Sequence, residues 1–71
     1  MTEKIKVNFT ITNTYTLILD KDEYVDDDGF IQEELLEEVC YDSVDRNIGY
    51  VEANLKDTYF SFDGYVELGN G

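Results

Sequence analysis

The chain has 71 residues, which is enough for one small domain, and its 17 acidic side chains against five basic ones give a net charge of −12. A charge of this sign repels nucleic acid and anionic lipid surfaces, so the composition argues against a protein that binds either directly. Because the chain has one cysteine and no histidine, an internal disulfide and a zinc site are also excluded.

The first segment, residues 4–20, is expected to form β structure. Apolar side chains alternate with polar ones from Ile5 to Ile11, which is the pattern of a strand with one buried face. The alternation resumes at Tyr15, and the stretch 12–14 between the two runs is the natural position for a turn. The segment therefore predicts a β-hairpin, with one long bent strand as the alternative.

A charged loop and one helix follow. The loop ends in Asp26-Asp27-Asp28-Gly29, and Asp27 or Asp28 can accept hydrogen bonds from the first backbone N–H groups of a helix. Residues 30–44 carry apolar side chains at helical spacing, which predicts a helix with one buried stripe. The other side of this helix is acidic and comprises Glu33, Glu34, Glu37, Glu38 and Asp42.

The remainder of the chain, residues 48–68, is expected to return to β structure. Apolar and aromatic residues are frequent over 48–55 and again just before Asp63-Gly64, a dipeptide that favours a tight hairpin turn because both central residues of a type I′ turn have positive φ. The predicted element order is β-β-α-β-β-β. The sequence thus predicts one α+β domain over residues 1–71, with an antiparallel sheet of four or five strands and a single helix on one face.

Few residues are suited to metal binding or catalysis. The loop 24–31 resembles the middle of an EF-hand, but Tyr24 stands where such a loop begins with Asp, and Leu35 stands where it needs a bidentate Glu. Cys40 lies on the predicted apolar stripe with no histidine to activate it, which indicates a structural thiol. We therefore expect no catalytic residue, no metal site and no cofactor, with a calcium-responsive binding protein as an alternative.

Aromatic residues near the C-terminus form one candidate contact surface. In a hairpin that turns at Asp63-Gly64, the side chains of Phe60, Phe62 and Tyr65 would share one face of the sheet. A single helix covers only one face, so aromatic side chains are expected to stay exposed, and exposed aromatic clusters mark binding surfaces. The alternative is that this hairpin wraps around the core.

The acidic segment is the other candidate surface. Residues 20–38 hold ten acids and one base, Lys21, and Glu34, Glu38 and Asp42 follow one another at four-residue intervals. Four residues advance ~6 Å along a helix axis, close to the ~6.8 Å covered by two base-pair steps of one DNA strand. A rigid row of carboxylates can therefore stand in for phosphates in a basic groove. The alternative is an ordinary solvated helix face.

In size, charge and lack of catalytic motifs, the whole chain resembles the small acidic inhibitors that phages encode against host defence. These include anti-restriction DNA mimics, anti-CRISPR proteins and inhibitors of uracil-DNA glycosylase. They share no common motif, so no residue role is carried over from them. The resemblance implies a non-enzymatic protein that occupies the basic nucleic-acid-binding surface of a host nuclease or CRISPR effector.

For such a protein, the binding residues are expected on both candidate surfaces: Asp26, Asp27, Asp28, Glu33, Glu34, Glu37, Glu38, Asp42, Phe60, Phe62 and Tyr65. A mimic should keep its acids on one contiguous face. The alternative is a small interaction module or homodimer whose charge serves only solubility, and its acids should be scattered. Residues 1–19 show neither a signal-peptide pattern nor a membrane-spanning run, so we expect a cytoplasmic location, in the host bacterium if the chain is phage-encoded.

Overall fold

A computed structural model describes residues 3–69 and shows an α+β domain with a three-stranded antiparallel sheet and two α-helices. The α+β class is confirmed, whereas the predicted four or five strands and single helix are wrong. No helix within residues 3–69 has the length and apolar character needed to cross a bilayer. The elements are β1 (Lys4–Thr10), β2 (Thr14–Asp20), a 3-10 turn (Lys21–Tyr24), α1 (Glu33–Asn47), α2 (Tyr50–Tyr59) and β3 (Ser61–Gly69).

The predicted N-terminal hairpin is confirmed. β1 and β2 pair antiparallel, with Ile5 opposite Leu19 and Phe9 opposite Tyr15. The turn occupies residues 11–13 rather than 12–14. The apolar period of two thus places every second side chain of both strands on the face that meets the helices.

β1 lies at the centre of the sheet, in the order β2-β1-β3. Its apolar side chains, of which Phe9 is the largest, are fully buried against the apolar stripe of α1, which includes Leu36 and Val44. Each side chain of this kind contributes roughly 1.5–3 kcal/mol when it leaves water. This layer contact is therefore the core of the domain.

α1 begins at Glu33 and ends at Asn47, not at the predicted 30 and 44. Its N-cap residue is Gln32, which makes no side-chain capping bond, so the predicted caps at Asp27 or Asp28 are wrong. The physical reason lies in Asp26, whose Oδ1 accepts the backbone N–H groups of Asp28 and Phe30 at 2.9 and 3.0 Å. These two hydrogen bonds hold residues 26–30 in a tight loop, so the helix begins only at Glu33.

The segment predicted as a strand over 48–55 forms α2 instead. Tyr50 and Val51 favour a strand by composition, but Glu52, Ala53 and Lys56 favour a helix, and Glu52 and Lys56 also have the four-residue spacing of a favourable helical pair. In α2 the side chains of Tyr50 and Val51 point to solvent. The sheet has three strands without this segment, and these two side chains lie outside the core.

The predicted hairpin turn at Asp63-Gly64 is also wrong, because both residues lie inside β3. Val7 pairs with Tyr65 and Phe9 with Phe62, so Asp63 and Gly64 together oppose the single residue Asn8 of β1. This arrangement is a β-bulge. Gly64 has φ +108°, a backbone conformation that glycine adopts easily and that a type I′ turn also requires. Positive φ at glycine was inferred correctly, but a bulge satisfies it without reversing the chain.

Lys56 joins the two helices. This residue of α2 is only 8% exposed. Its Nζ lies 2.5 Å from Oδ2 of Asp45 on α1 and 4.4 Å from the centroid of the Tyr41 ring. The ring face is the electron-rich surface that attracts a cation. The aliphatic part of Lys56 therefore packs in the interior while its charge is neutralised by α1.

We predict that Lys56→Met destabilises the domain by about 1–2 kcal/mol, the combined size of one ion pair to an exposed carboxylate and one partly buried cation–π contact. Met keeps the apolar stem and removes the charge. The free energy of unfolding from urea titrations of both proteins measures the effect.

Asp45→Asn is the matched control, because it removes the ion pair and leaves the cation over Tyr41. Because it leaves the nearly buried Lys56 cation without a carboxylate partner, it should also destabilise the domain. Equal stability of Lys56→Met and the wild type would contradict a linking role for Lys56.

Candidate interaction surface

One row of carboxylates runs along the solvent side of α1. Glu34, Glu38 and Asp42 are all exposed, and the helical period places them opposite the buried stripe of Leu36, Cys40 and Val44. We call Glu34, Glu38 and Asp42 the carboxylate ridge. Because α1 is held through its buried stripe, the ridge is presented by a fixed helix and not by a loop.

A groove lies on each side of the carboxylate ridge. The larger has a volume of about 430 Å³, lies between α1 and α2, and is lined by Tyr41 and Phe60 together with Glu34, Glu37 and Glu38. The smaller, about 260 Å³, is lined by Tyr24, Leu35, Val39, Glu23, Glu38 and Asp42. Since Glu38 borders both grooves, the ridge is the crest between them.

The larger groove has an aromatic floor. The Tyr41 and Phe60 rings meet edge to face with centroids 5.3 Å apart, and Lys56 already lies over Tyr41. Acidic side chains from both helices, including Asp57 of α2, border this floor. The groove therefore offers to a cationic side chain several carboxylates beside an aromatic floor.

The acidic loop before α1 is ordered by its own hydrogen bonds. Besides the contacts of the Asp26 carboxylate, the backbone N–H of Asp26 donates to the carbonyl of Phe30 at 2.9 Å, and a bridge joins Val25 to Ile31. Asp27 and Asp28 are exposed beside Phe30, which is 71% exposed. The loop thus presents two carboxylates and an aromatic ring together.

The ion pairs described for residues 3–69 use no carboxylate of the ridge or of the acidic loop. Within residues 3–69 the paired carboxylates are Asp20 with Lys4, Glu3 and Glu67 with Lys21, and Asp45 with Lys56. Hydrogen bonds to Glu67 and Glu3 raise the pKa of Lys21 above its ordinary value. The described ion pairs therefore leave the charges of the ridge and the acidic loop uncompensated.

The opposite side of the domain is close to neutral. The face of the sheet away from the helices carries Lys4 and Lys6 on β1, Asp20 on β2, and Asp63, whose Oδ2 accepts a hydrogen bond from Thr10 at 2.5 Å. Two positive charges and two negative charges thus balance on this face. The excess negative charge belongs to the helical layer and the loop before it.

The predicted aromatic surface is divided by the fold. Phe60 lies in the larger groove beside the acids, whereas Phe62 and Tyr65 are half-buried and pack against the core. Glu33 and Glu37 are exposed on α1 with the ridge.

The sequence did not indicate Tyr41, Lys56 and Asp57 as residues of the site. The stretch 48–55 was assigned to a strand, and the second wall of the larger groove is formed by the helix that occupies this stretch instead. The Glu52 to Lys56 spacing was the signal that could have revealed it.

The thiol of Cys40 and the hydroxyl of Tyr24 are both protonated more strongly than usual. Cys40 is fully buried, and burial, with a smaller effect of Glu37, raises the pKa of its thiol from 9.0 to about 12. Burial also raises the pKa of Tyr24. Within residues 3–69 no three carboxylate or thiol groups converge to hold a metal ion.

We predict that the melting temperature rises when NaCl increases from about 10 mM to about 500 mM, because the Debye length falls from ~30 Å to well below 10 Å and screens the repulsion among the acids. Differential scanning calorimetry measures it. The rise should shrink in the triple variant Glu34→Gln, Glu38→Gln, Asp42→Asn. An unchanged or lower melting temperature in the wild type would show that repulsion on this surface is not limiting.

We also predict that Cys40 reacts roughly a thousandfold more slowly in the native protein than in the unfolded chain, since a pKa raised from 9.0 to about 12 lowers the thiolate fraction by three decades. The labelling rate with a thiol-reactive disulfide at about pH 8, without and with urea, measures the ratio. Similar rates in both conditions would contradict the buried position of Cys40.

Comparisons with protein-family models, with curated proteins and with solved structures give no match for this chain. The carboxylate ridge, its two grooves and the acidic loop are therefore the features from which a function can be inferred.

Proposed function

We propose that the protein is a non-enzymatic, acidic inhibitor that occupies the basic nucleic-acid-binding surface of a host defence protein, such as a nuclease or a CRISPR effector, in the bacterial cytoplasm. The observation that carries this proposal is the carboxylate ridge. Glu34, Glu38 and Asp42 form an exposed row on a helix whose other side is fully buried.

The spacing of the ridge suits a surface that binds phosphates. Carboxylates four residues apart lie ~6 Å apart along the helix axis, near the ~6.8 Å of two base-pair steps of one DNA strand. A basic groove that places Arg or Lys side chains at phosphate intervals meets carboxylates at similar intervals here. Arg forms bidentate hydrogen bonds with either anion.

The distribution of charge supports the same function. The helical layer and acidic loop carry the excess negative charge, while on the far face of the sheet the charges of Lys4 and Lys6 are balanced in number by those of Asp20 and Asp63. An asymmetric charge of this kind orients the protein as it approaches a basic partner and raises the association rate. Charge that served only solubility, the alternative function, would need no such asymmetry.

We predict that Glu34→Gln, Glu38→Gln, Asp42→Asn weakens binding to the basic partner by about 5- to 150-fold, since three exposed ion pairs contribute about 1–3 kcal/mol together. The helix should persist because Gln is a good helix former. In the assay, a bacterial lysate is loaded on immobilised double-stranded DNA, and wild-type protein or variant is used to elute. A target that the wild type displaces should stay bound when the variant is applied.

A matched control removes the same charge elsewhere. Asp22, Asp63 and Glu67 are exposed and lie outside the ridge, its two grooves and the acidic loop, and changing them to Asn, Asn and Gln lowers the net negative charge equally while leaving the ridge intact. This control should elute the target almost as well as the wild type. If both triple variants lose the same activity, overall charge and not the ridge governs binding; if the wild type displaces nothing at low salt, the proposal is wrong.

A further inference from the structure

β2 is an edge strand without a partner on its outer side. In the order β2-β1-β3 it pairs with β1 alone, and no other strand within residues 3–69 pairs with it. The outward backbone N–H and C=O groups of an edge strand form a template for another strand. Thr14–Asp20 is therefore a candidate docking edge.

The two edges of the sheet differ in how they are protected. β3 contains two register shifts and the charges of Asp63 and Glu67, and bulges and charges are devices by which proteins block pairing at an edge. β2 pairs with β1 in unbroken register. Residues 14–19 contain no charged residue, no proline and no glycine. Of the two edge strands, β2 is therefore the one without these protective features.

The lack of charge on β2 is informative in a chain of net charge −12. Two copies of such a chain repel one another wherever their helical layers approach. Along β2 the first acid is Asp20, at the end of the strand, and Lys4 forms an ion pair with it. The edge is thus a place where a second copy meets little repulsion.

An apolar groove borders the same edge. It has a volume of about 310 Å³ and is lined by Tyr15 and Leu17 of β2, and by Asn47, Ile48 and Gly49 of the link between the helices. The Tyr15 and Leu17 side chains are only half-buried, although they face the core. An added strand would cover these side chains and place its own apolar side chain in the groove.

We propose that β2 pairs antiparallel with β2 of a second copy about a two-fold axis at Leu17, which joins two sheets into one of six strands. In this register Tyr15 meets Leu19 of the other copy, and Thr16 meets its Ile18. Thr14 meets Asp20, with which it can form a hydrogen bond. The strand is self-complementary, because no like charges oppose one another and Tyr15, Leu17 and Leu19 share one face.

The proposed β2–β2 contact is small, and added salt is expected to strengthen it. A seven-residue strand with one shallow groove buries less than the ~1,200 Å² of a standard interface, so we expect a dissociation constant between about 10 µM and about 1 mM. Because both copies are acidic, added NaCl strengthens the dimer. Binding to a basic partner responds in the opposite way, so the two associations are separable by salt alone.

Sedimentation velocity of the wild type from about 10 µM to about 1 mM, at about 50 and about 500 mM NaCl, tests the dimer. A monomer–dimer equilibrium that shifts toward dimer at the higher salt is expected. A protein that remains monomeric at the highest concentration in the higher salt overturns the proposal. Neither result bears on the proposed inhibition, which is read from elution by the protein at low salt.

Two variants that differ at one position test the register. Thr16 and Ile18 are exposed, so T16E/I18E and T16K/I18E should both fold, as circular dichroism can verify, and both lose the Thr16 bond to Asn8. In the proposed dimer the first places Glu opposite Glu, and the second places Lys opposite Glu. T16K/I18E should dimerise about 5- to 30-fold more tightly than T16E/I18E. Equal dimerisation of the two variants, at either salt concentration, overturns pairing through β2.

Discussion

The packing of α1 on β1 is the contact on which the rest of the structure depends. Ile5, Val7 and Phe9 are fully buried between the two neighbouring strands and the stripe that contains Leu36 and Val44. A domain of this size has a single small core and little stability to spare. Because the stripe fixes the rotation of α1 about its axis, it also fixes which acids face solvent. The carboxylate ridge is therefore a geometrical consequence of the core.

The same constraint divides the surface into regions of different character. The helical layer carries exposed acids, the far face of the sheet balances its charges, and the outer edge of β2 is neutral over residues 14–19. Such a division would allow the proposed contact of the helices with a basic partner and the proposed pairing of a second copy along the sheet. The two proposed contacts are expected to have opposite electrostatics, since salt should weaken the first and strengthen the second.

Much of the fold and part of the surface could be predicted from the sequence. Period-two alternation identified the β1–β2 hairpin, and helical spacing identified α1, because both patterns are repeated over many residues. The second helix was predicted as a strand, and β3 was predicted as two strands joined by a turn, because the local signals were ambiguous. Tyr50 and Val51 favour a strand but lie exposed on a helix, and Asp63-Gly64 fits a bulge as well as a turn. Pairing with β1 keeps Asp63-Gly64 inside β3, and the groove at Tyr41 and Lys56 could not be foreseen without α2.

The central claim is that the carboxylate ridge contacts the basic partner. The most direct measurement is the amide chemical-shift map of the protein, recorded with and without a target captured in the DNA-displacement assay. We expect the shift changes to concentrate between Glu34 and Asp42 and in the walls of the two adjacent grooves, and to disappear when double-stranded DNA is added in excess. Shift changes confined to the face with Lys4 and Lys6, or changes that persist with DNA present, would contradict the account.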